Sequence, residues 1–308
     1  MISFPVKNVF IEGPDCSGKT TLIRDIHKES GYRWHLMDRS QISRMIFARM
    51  NGRNIPFIED HFKSELYNLN NLFVFLLPPW NEISRRFGIR GDEIHDIKSL
   101  RCVYENFQAT TGRLIHYPNV MCFQDISKDK NTQQLKNKII SYEKTKISEI
   151  SNKVIGFAAE CPRNEATDLS FTIYDDGMFD EADAKILDQK DELEYYRSIL
   201  SGFLTKIENE KKGINEYHLP QENSSRRFVY VNESCISFIQ AVVRDGVLDM
   251  HFVLRSTDVI NKMKHDLNFL YYLTSETYKK LDLSQNYKAK MRFYLNSAHM
   301  LQNEKPIC

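Results

Sequence analysis

One eight-residue segment near the start of the chain constrains the fold more than any other part. A short apolar run, Val9-Phe10-Ile11, precedes it, and a stretch with helical periodicity follows it. The segment is Gly13-Pro14-Asp15-Cys16-Ser17-Gly18-Lys19-Thr20. Its glycines let backbone N–H groups close around phosphate oxygens, and the following helix directs its N-terminal amides at the same anion. The pattern therefore predicts a phosphate-binding P-loop between a strand and a helix.

The P-loop residues have separate predicted roles. Lys19 is predicted to neutralise the outer phosphates of a nucleoside triphosphate, and Thr20 to offer its hydroxyl to Mg²⁺. The residues predicted to hold the triphosphate are Gly13, Ser17, Gly18, Lys19, Thr20 and Thr21. ATP and Mg²⁺ are the predicted cofactors, and a Gly-rich turn without function is the alternative.

The composition limits the classes of function. With 308 residues, of which 42% are hydrophobic, the chain is long enough for two ordinary domains. It has 42 basic and 41 acidic residues, and this balance excludes the strongly basic surface of a dedicated duplex-DNA-binding protein. Small anionic substrates suit such a chain better, and we expect no dedicated nucleic-acid binding.

Sequence features also indicate the compartment. No apolar stretch approaches bilayer-spanning length, and the first residues lack the basic and apolar regions of a signal peptide. We therefore expect a cytoplasmic protein without membrane contact, in the host cytoplasm if its source is viral. The six cysteines have no paired metal-binding spacing, which favours free thiols in that compartment.

Alternating apolar and amphipathic stretches predict an α/β domain over residues 1–147. Strands are predicted at residues 8–11, 33–37, 72–77 and 119–123, with helix-length segments between them. This order is typical of a parallel sheet with helices on both faces. The polar segment 141–153 follows, and we place the domain boundary within it, between residues 147 and 148.

Residues 148–308 are predicted to form a second domain of the α+β class. A charged segment, 175–213, contains apolar residues at helical spacing and predicts one amphipathic helix. A helix is also predicted at 267–281. Strands are predicted at 228–231, 238–243, 248–254 and 289–296, with a tight turn at 244–246 between the second and the third.

Two residues at the end of the second predicted strand favour a kinase over other P-loop proteins. Asp38 and Arg39 stand where the carboxyl ends of parallel strands meet, so both are expected to face the P-loop. Arg39 is predicted to hold the phosphate of an acceptor, and Asp38 to orient Mg²⁺ or its waters. A surface ion pair at a strand end is the alternative.

An arginine-dense segment after the third predicted strand is typical of a mobile lid. It runs Arg85-Arg86-Phe87-Gly88-Ile89-Arg90-Gly91-Asp92-Glu93. Phosphoryl transfer needs neutralisation of charge on the moving group, which arginines from a closing lid provide. Arg85, Arg86 and Arg90 are the candidates, and a solvated charged face is the alternative.

These motifs resemble those of thymidylate kinase and related deoxynucleoside monophosphate kinases over roughly the first 140 residues. The resemblance implies that Asp15 approaches the acceptor sugar or phosphate and that Arg39 binds the monophosphate. The Asp-Arg pair comes about twenty residues after the P-loop, nearer than in the cellular enzymes, so the acceptor stays open. The candidate catalytic residues of this domain are Lys19, Asp15, Arg39, Arg86 and Arg90.

A second group of residues accompanies Cys235. The group comprises Arg226, Arg227, Gln240, Arg255, Ser256, Asp258 and Tyr294. Arginines and a serine can enclose one phosphate, a thiolate can attack an electron-poor ring carbon, and a tyrosine can bind a sugar hydroxyl. The group therefore predicts a nucleotide site with a nucleophile, and a cysteine packed in the core is the alternative.

This part of the chain resembles thymidylate synthase and the related pyrimidine hydroxymethylases. An arginine pair comes before the cysteine, and Cys235 and Arg255 are twenty positions apart, as in that family. The resemblance implies that Cys235 adds to carbon 6 of a pyrimidine and that Arg255 and Ser256 hold its phosphate. It also implies that Arg226 and Arg227 reach into a partner's site, and hence that the protein is a homodimer.

Departures from that family limit what the resemblance implies. Ser234-Cys235-Ile236 replaces Pro-Cys-His, Arg292 replaces a sugar-binding histidine, and the folate-side residues have no counterpart, so the use of folate stays open. A carboxyl group at Asp266 suits the amino edge of cytosine. Uracil is favoured instead if Asn268 takes that place.

The main hypothesis is an ATP- and Mg²⁺-dependent nucleoside monophosphate kinase joined to a pyrimidine-nucleotide domain that acts on, or delivers, the acceptor. Such a fusion suits a bacteriophage that remodels the nucleotide pool of its host. The alternatives are a pyrimidine nucleotide hydroxymethylase or methylase as the main activity, a dimeric nucleotide sensor without turnover, and a kinase acting on a modified base in DNA.

Overall fold

The chain contains two compact units in a computed structural model that describes residues 2–90, 96–124, 128–177, 179, 190–212, 226–284 and 286–300. The N-terminal unit is Val6–Glu143, and the C-terminal unit is Met1–Pro5 with Lys144–Cys308. The first residues belong to the C-terminal unit, where Ser3 forms a β-bridge with Tyr174. The functional domain boundary between residues 147 and 148 stays a prediction.

A parallel sheet forms the centre of the N-terminal unit. Its strands are β1 (Asn8–Glu12), β2 (Leu36–Asp38), β3 (Asn71–Leu76) and β4 (Val120–Phe123), and their order is β2-β1-β3-β4. Each described pair of neighbours is parallel. Every residue of β3 is buried, as expected for a central strand covered on both faces. The predicted parallel α/β sheet is confirmed.

Helices flank this sheet. They are α1 (Lys19–Ser30), α2 (Gln41–Met50), α3 (Pro56–Leu66), α4 (Trp80–Arg90), α5 (Ile97–Leu114) and α6 (Lys128–Glu143). The apolar periodicity that stabilises such helices is clearest in α5. Its buried residues recur at helical spacing along one face: Leu100, Val103, Phe107 and Leu114. Part of the segment predicted as a lid belongs to α4, and residues 91–93 lie outside the described residues.

A mixed sheet forms the centre of the C-terminal unit, which confirms the predicted α+β class. The sheet has the order β5-β10-β8-β7-β6, with β9 paired to β10. The strand β10 is parallel to β8 and antiparallel to β5. The elements are α7 (Ile147–Glu160), β5 (Glu165–Asp175), α8 (Lys190–Lys212), β6 (Arg226–Val231), β7 (Ile236–Arg244), β8 (Val247–Leu254), β9 (Thr257–Asp258), α9 (Met263–Lys280) and β10 (Lys288–His299).

Turn chemistry fixes the register between β7 and β8. Asp245 and Gly246 are the two loop residues, and their φ angles are 52° and 72°. Two successive left-handed residues make the type I′ turn whose twist matches a β-hairpin. The predicted tight turn is therefore present, with Arg244 paired to Val247 across it.

The sequence analysis mistook the start of one helix and did not predict the strand β5 or the two-residue strand β9. The prediction of a single helix from residue 175 is wrong at that end, because Asp175 is the last residue of β5 and α8 begins at Lys190. Buried and exposed residues alternate over most of β5, but the alternation breaks near Asp168, which has a φ of 61°. That break shortens the period-two pattern by which a strand is recognised.

Two further properties concern the chain as a whole. No helix within the described ranges combines the length and hydropathy that crossing a bilayer requires. Five cysteines, including Cys16 and Cys235, are free thiols, and Cys308 lies outside the described residues.

Candidate functional site

The P-loop makes a tight turn between β1 and α1. Gly13 has a φ of 144° and Gly18 a φ of 100°. A Cβ atom on Gly13 would lie 2.4 Å from the carbonyl oxygen of Leu76. Glycine is therefore required at this position both by the backbone conformation and by the close approach of β3.

One cavity of about 530 Å³ brings the predicted kinase residues together. Of those residues, Gly13 and Arg85 are not part of its lining. The cavity is lined by Asp15, Cys16, Ser17, Gly18, Lys19, Thr20, Thr21, Leu22, Asp38, Arg39, Leu76, Arg86, Arg90 and Asn131. The sequence analysis did not single out Leu22, Leu76 and Asn131, because none of them stands in a recognisable motif.

Lys19 is folded back onto the loop that precedes it. Its Nζ atom donates hydrogen bonds of 2.8 Å to the carbonyl oxygens of Gly13 and Pro14. The side chain is 6% exposed. Burial lowers the pKa of the Lys19 amine, and the nearby Asp15 carboxylate opposes that shift. An anion in the cavity would stabilise the protonated, positively charged form of this buried amine.

The cavity also offers ligands for a phosphate and for Mg²⁺. The hydroxyl of Ser17 is buried and has no hydrogen-bond partner among the described residues. The helix α1 begins at Lys19, so its N-terminal amides and positive dipole end face the loop. Thr20 and Asp38 line the cavity with the oxygen ligands that Mg²⁺ prefers. These residues fit a nucleotide phosphate and its metal ion, and their individual roles stay predictions.

Arg39 points at the P-loop. Its Nη2 atom lies 2.7 Å from Oδ1 of Asp15, and its guanidinium carbon lies 5.2 Å from the ring centre of Phe47. Both partners of the ion pair are partly exposed, so the pair contributes little to stability. Arg39 thus forms an ion pair at the end of its strand, and its partner is Asp15 of the P-loop.

A buried carboxylate holds the segment that carries Arg39. Glu12, the last residue of β1, is 0% exposed. Its Oε1 atom accepts hydrogen bonds from the backbone N–H and the hydroxyl of Ser40, and its Oε2 atom accepts one from the hydroxyl of Ser43. Burial raises the pKa of the Glu12 carboxyl, and these hydrogen bonds oppose the rise.

This carboxylate stabilises an unfavourable backbone conformation. Arg39 has a φ of 75°, which is uncommon for a residue other than glycine. Its backbone N–H donates to the carbonyl of Ile11, and the next N–H, of Ser40, donates to Glu12. The hydroxyl of Ser40 also accepts from the backbone of Ile42 and caps α2. Glu12 is thus a positioning residue that the sequence analysis did not identify.

The arginines of α4 differ in what they contact. Arg86 donates through Nη1 to the carbonyls of Cys16 and Ser17, at 3.3 and 3.2 Å, and through Nε to Glu82. Arg85 also binds Glu82 and does not line the cavity. Hydrogen bonds from both arginines lower the pKa of Glu82 to about 2. Arg86 therefore reaches the P-loop, and Arg90 lines the same cavity.

In the C-terminal unit the structure brings Cys235 next to Arg255. The backbone N–H of Arg255 donates to the carbonyl of Cys235 at 2.7 Å. Cys235 is partly buried, Arg255 is exposed, and the hydroxyl of Ser256 lies 3.5 Å from Nδ1 of His299. Tyr195 bonds to both neighbours of the cysteine, through the hydroxyl of Ser234 and the N–H of Ile236.

The other predicted pyrimidine-site residues occupy two environments. Asp258 accepts hydrogen bonds from the segment that precedes α9. Asp266 accepts hydrogen bonds from the hydroxyls of Tyr196 and Thr257, at 2.8 and 2.9 Å. Both carboxylates are therefore buried and hydrogen-bonded within the fold. Arg227, Gln240 and Tyr294 alternate with buried neighbours and lie on the sheet face away from the core. The side chain of Arg226 lies outside the described residues. A single pocket formed by this whole set stays a prediction.

Comparisons with known proteins give limited likenesses. No protein-family model matches the chain, and no curated protein matches it. Among solved structures, YorR protein from Bacillus subtilis in complex with phosphorylated GDP is 18% identical, with a TM-score of 0.36, covering 44% of this chain and 96% of that one. Deoxyadenosine kinase from M. mycoides, with dCMP and dCDP bound, is 12% identical, with a TM-score of 0.34, covering 44% and 100%.

A third solved structure is similar to a smaller part of the chain. Thymidylate synthase from T4 phage is 23% identical, with a TM-score of 0.23, and the match covers 27% of this chain and 31% of that enzyme. The chain therefore spans less than a third of the length of that enzyme. All three TM-scores are below 0.5, so these likenesses do not establish an activity or a substrate.

Replacing Glu12 tests its structural role. In Glu12→Ala the donors of Ser40 and Ser43 lose their acceptor, and we expect the free energy of unfolding of the N-terminal unit to fall by about 3 kcal/mol. Glu12→Gln keeps one acceptor oxygen and should lose about 1 kcal/mol. Urea unfolding followed by tryptophan fluorescence measures this unit, because Trp34 and Trp80 are the two tryptophans of the chain. Glu59→Gln, which removes an exposed ion pair with Arg49, is the control. If Glu12→Gln and Glu59→Gln lower the free energy of unfolding equally, the structural role of Glu12 is disproved.

The lowered pKa of Lys19 predicts proton uptake when ATP binds. Bound phosphate raises that pKa again, so the complex holds more protons than the free protein at a pH between the two values. Affinity for ATP should therefore fall as pH rises from the pKa of Lys19 in the free protein to its pKa in the complex. Calorimetry in buffers of different ionisation enthalpy measures the uptake. Lys28→Gln, at an exposed position on α1, should leave the uptake unchanged. The absence of uptake in the wild type at every pH below the ordinary pKa of lysine would contradict the assignment.

Proposed function

We propose that the N-terminal unit transfers the γ-phosphoryl group of ATP to a pyrimidine nucleoside monophosphate, with either ribose or deoxyribose as its sugar. The observation that carries this proposal is the single cavity in which the P-loop, Asp38, Arg39, Arg86 and Arg90 meet. Phosphoryl transfer depends on positioning and on charge neutralisation more than on covalent chemistry. A cavity that combines oxygen ligands with several cationic side chains suits that requirement.

The donor side of the reaction is assigned to the P-loop. Backbone amides of the loop and of the first turn of α1 bind the phosphate tail of ATP, and Lys19 leaves the carbonyls of Gly13 and Pro14 to contact the outer phosphates. Thr20 and Asp38 would hold Mg²⁺, which supplies charge neutralisation between the phosphates. The Ser17 hydroxyl provides a further donor in the loop.

The acceptor side is assigned to Arg39 and Asp15. Binding of the acceptor phosphate by Arg39 weakens the Arg39–Asp15 ion pair, and Asp15 is then able to contact the acceptor sugar. An oxygen of the acceptor phosphate forms the new bond to the γ-phosphorus, and the bond to ADP breaks with its electrons remaining on ADP. Arg86 and Arg90 stabilise the charge that develops on the transferred group.

The C-terminal unit is proposed to hold a pyrimidine nucleotide at Cys235 and to act on, or deliver, the acceptor. The contact between the backbones of Cys235 and Arg255 supports this assignment, because it places a thiol and a guanidinium-bearing residue at one end of the sheet. The exposed side chains of Val231 on the edge strand β6 and of Tyr294 on β10 support the proposed homodimer. Apolar groups on a sheet face are suited to pairing with a second copy.

A phosphoryl-transfer assay with Mg²⁺-ATP and a panel of pyrimidine monophosphates tests the kinase. The wild type should phosphorylate at least one member of the panel. Lys19→Ala should reduce kcat/KM by about 10²- to 10³-fold, as expected when one preorganised donor to the developing charge is lost. Lys28→Ala, on the same helix and outside the cavity, should keep the wild-type rate. Transfer that survives in Lys19→Ala, or its absence from the wild type over the whole panel, would refute the proposal.

A further inference from the structure

A thiol lies within the P-loop itself. Cys16 is partly buried and lines the P-loop cavity. Its φ of 63° is in the left-handed region that glycine adopts without strain, so the loop carries a side chain where glycine would fit more easily. The backbone carbonyl of Cys16 accepts a hydrogen bond from Arg86, which helps to fix this part of the loop. Cys16 has no role in the proposed phosphoryl transfer.

The cavity around Cys16 attracts anions, because its lining contains more cations than carboxylates. The cations are Lys19, Arg39, Arg86 and Arg90, and the carboxylates are Asp15 and Asp38. The helix α1 begins three residues after Cys16 and adds the positive end of its dipole. A reagent that carries carboxylates is therefore concentrated in this cavity relative to a cationic reagent.

The hydroxyl of Ser17 is suited to the same kind of ligand. Ser17 is 4% exposed, and its Oγ atom has no hydrogen-bond partner among the described residues. A Cβ atom on Gly13 would lie 3.1 Å from this oxygen, so the hydroxyl lies on the inner side of the loop. A buried hydroxyl without a partner costs free energy, and an anionic group bound beside Cys16 would accept its proton.

Two other cysteines of the N-terminal unit have different surroundings. Cys102 is exposed on α5 and is not part of the cavity lining. Cys122 is partly buried, and burial raises the pKa of its thiol. A raised pKa lowers the fraction of thiolate, which is the form that attacks a disulfide. Cys102 therefore provides an exposed reference thiol outside the cationic cavity.

We infer that Cys16 is a site of reversible S-thiolation by small disulfides that carry carboxylate groups, and that the adduct blocks the phosphate-binding part of the cavity. The Cys16 thiolate attacks one sulfur of the disulfide, so that a mixed disulfide forms. The original S–S bond breaks, its electron pair stays on the departing sulfur, and that thiolate takes up the proton released by Cys16. Cys16 is thereby oxidised, the small disulfide is reduced, and an excess of thiol reverses the exchange.

The consequence of this modification is loss of ATP binding, so the inference rests on the proposed function. The adduct places its own carboxylates among the cations and amides that are assigned to the phosphates of ATP. ATP and the disulfide therefore compete for one volume. A nucleotide-free protein is open to modification, and a nucleotide-bound protein is protected.

Reaction of the full chain with disulfides of opposite charge tests the site. Glutathione disulfide is the anionic probe and cystamine the cationic one, and peptide mass mapping gives the rates at Cys16 and Cys102 in the same sample. The ratio of the Cys16 rate to the Cys102 rate should be about 10-fold higher with glutathione disulfide than with cystamine. Added salt should reduce this difference, because it screens the cations of the cavity. Equal ratios for the two reagents overturn the inference.

Competition with ATP tests the consequence. Mg²⁺-ATP at about ten times its Kd should slow the reaction of Cys16 by about 10-fold through mass action and leave Cys102 unaffected. After treatment with glutathione disulfide, calorimetry should show an ATP affinity at least about 10-fold lower, because charge-assisted contacts are lost. Dithiothreitol should restore the affinity. Unchanged ATP affinity after complete modification of Cys16 overturns the inference as well.

Two serine variants separate Cys16 from the other thiols. Cys16→Ser should have the same ATP affinity before and after treatment with glutathione disulfide. Cys102→Ser, the matched control in the same unit, should lose affinity on treatment as the wild type does. A treated Cys16→Ser protein that loses ATP affinity as the wild type does assigns the effect to another cysteine and contradicts the inference.

Failure of this inference is distinguishable from failure of the proposed ATP site. If Cys16 prefers the anionic reagent but ATP neither binds nor protects, the thiolation site stands and the ATP site does not. If calorimetry shows ATP binding but Cys16 has no preference for the anionic reagent, the ATP site stands and the thiolation site does not.

Discussion

The close approach of Gly13 to the end of β3 is the constraint on which the candidate site depends. With the carbonyl of Leu76 against its Cα, the chain turns sharply after β1 and enters α1 at Lys19. This turn directs the loop amides, the helix dipole and the lysine toward one volume. Any side chain at Gly13 would displace the loop from β3 and so move the loop residues that line the cavity.

Glu12, immediately before this glycine, extends the same constraint to the side of the cavity that carries Arg39. Its two carboxylate oxygens bind Ser40 and Ser43, so the end of β1 is joined to the start of α2. Arg39, immediately before Ser40, has a left-handed backbone, and its guanidinium is directed at the P-loop. Burying a carboxylate costs free energy, and the hydrogen bonds that Glu12 accepts offset part of that cost. The conformation of the P-loop and the position of Arg39 thus depend on two adjacent residues, Glu12 and Gly13.

The sequence predicted the sheet and the P-loop because both depend on local patterns: buried parallel strands appear as apolar runs, and the loop has a fixed spacing of glycines. It named Arg86 as a catalytic candidate and not Arg85, but it held no physical reason for that preference, since the two arginines differ only in the direction in which α4 presents them. The role of Glu12 was equally hidden, because its partners lie about thirty residues away. Asp266 was proposed as a base-reading residue from spacing alone, and its hydrogen bonds to Tyr196 and Thr257 depend on the packing of α8 and β9.

The central claim is that the backbone of the P-loop binds the phosphates of ATP, and amide chemical shifts report on that backbone directly. Titration of the isotope-labelled full chain with Mg²⁺-ATP should perturb the amides of residues 15–21 most strongly, with Arg39 and Ser40 next. The same titration with Mg²⁺ and adenosine should leave those amides nearly unchanged, because adenosine has no phosphate. If ATP leaves residues 15–21 unperturbed, or if adenosine perturbs them equally, the loop is not the phosphate site.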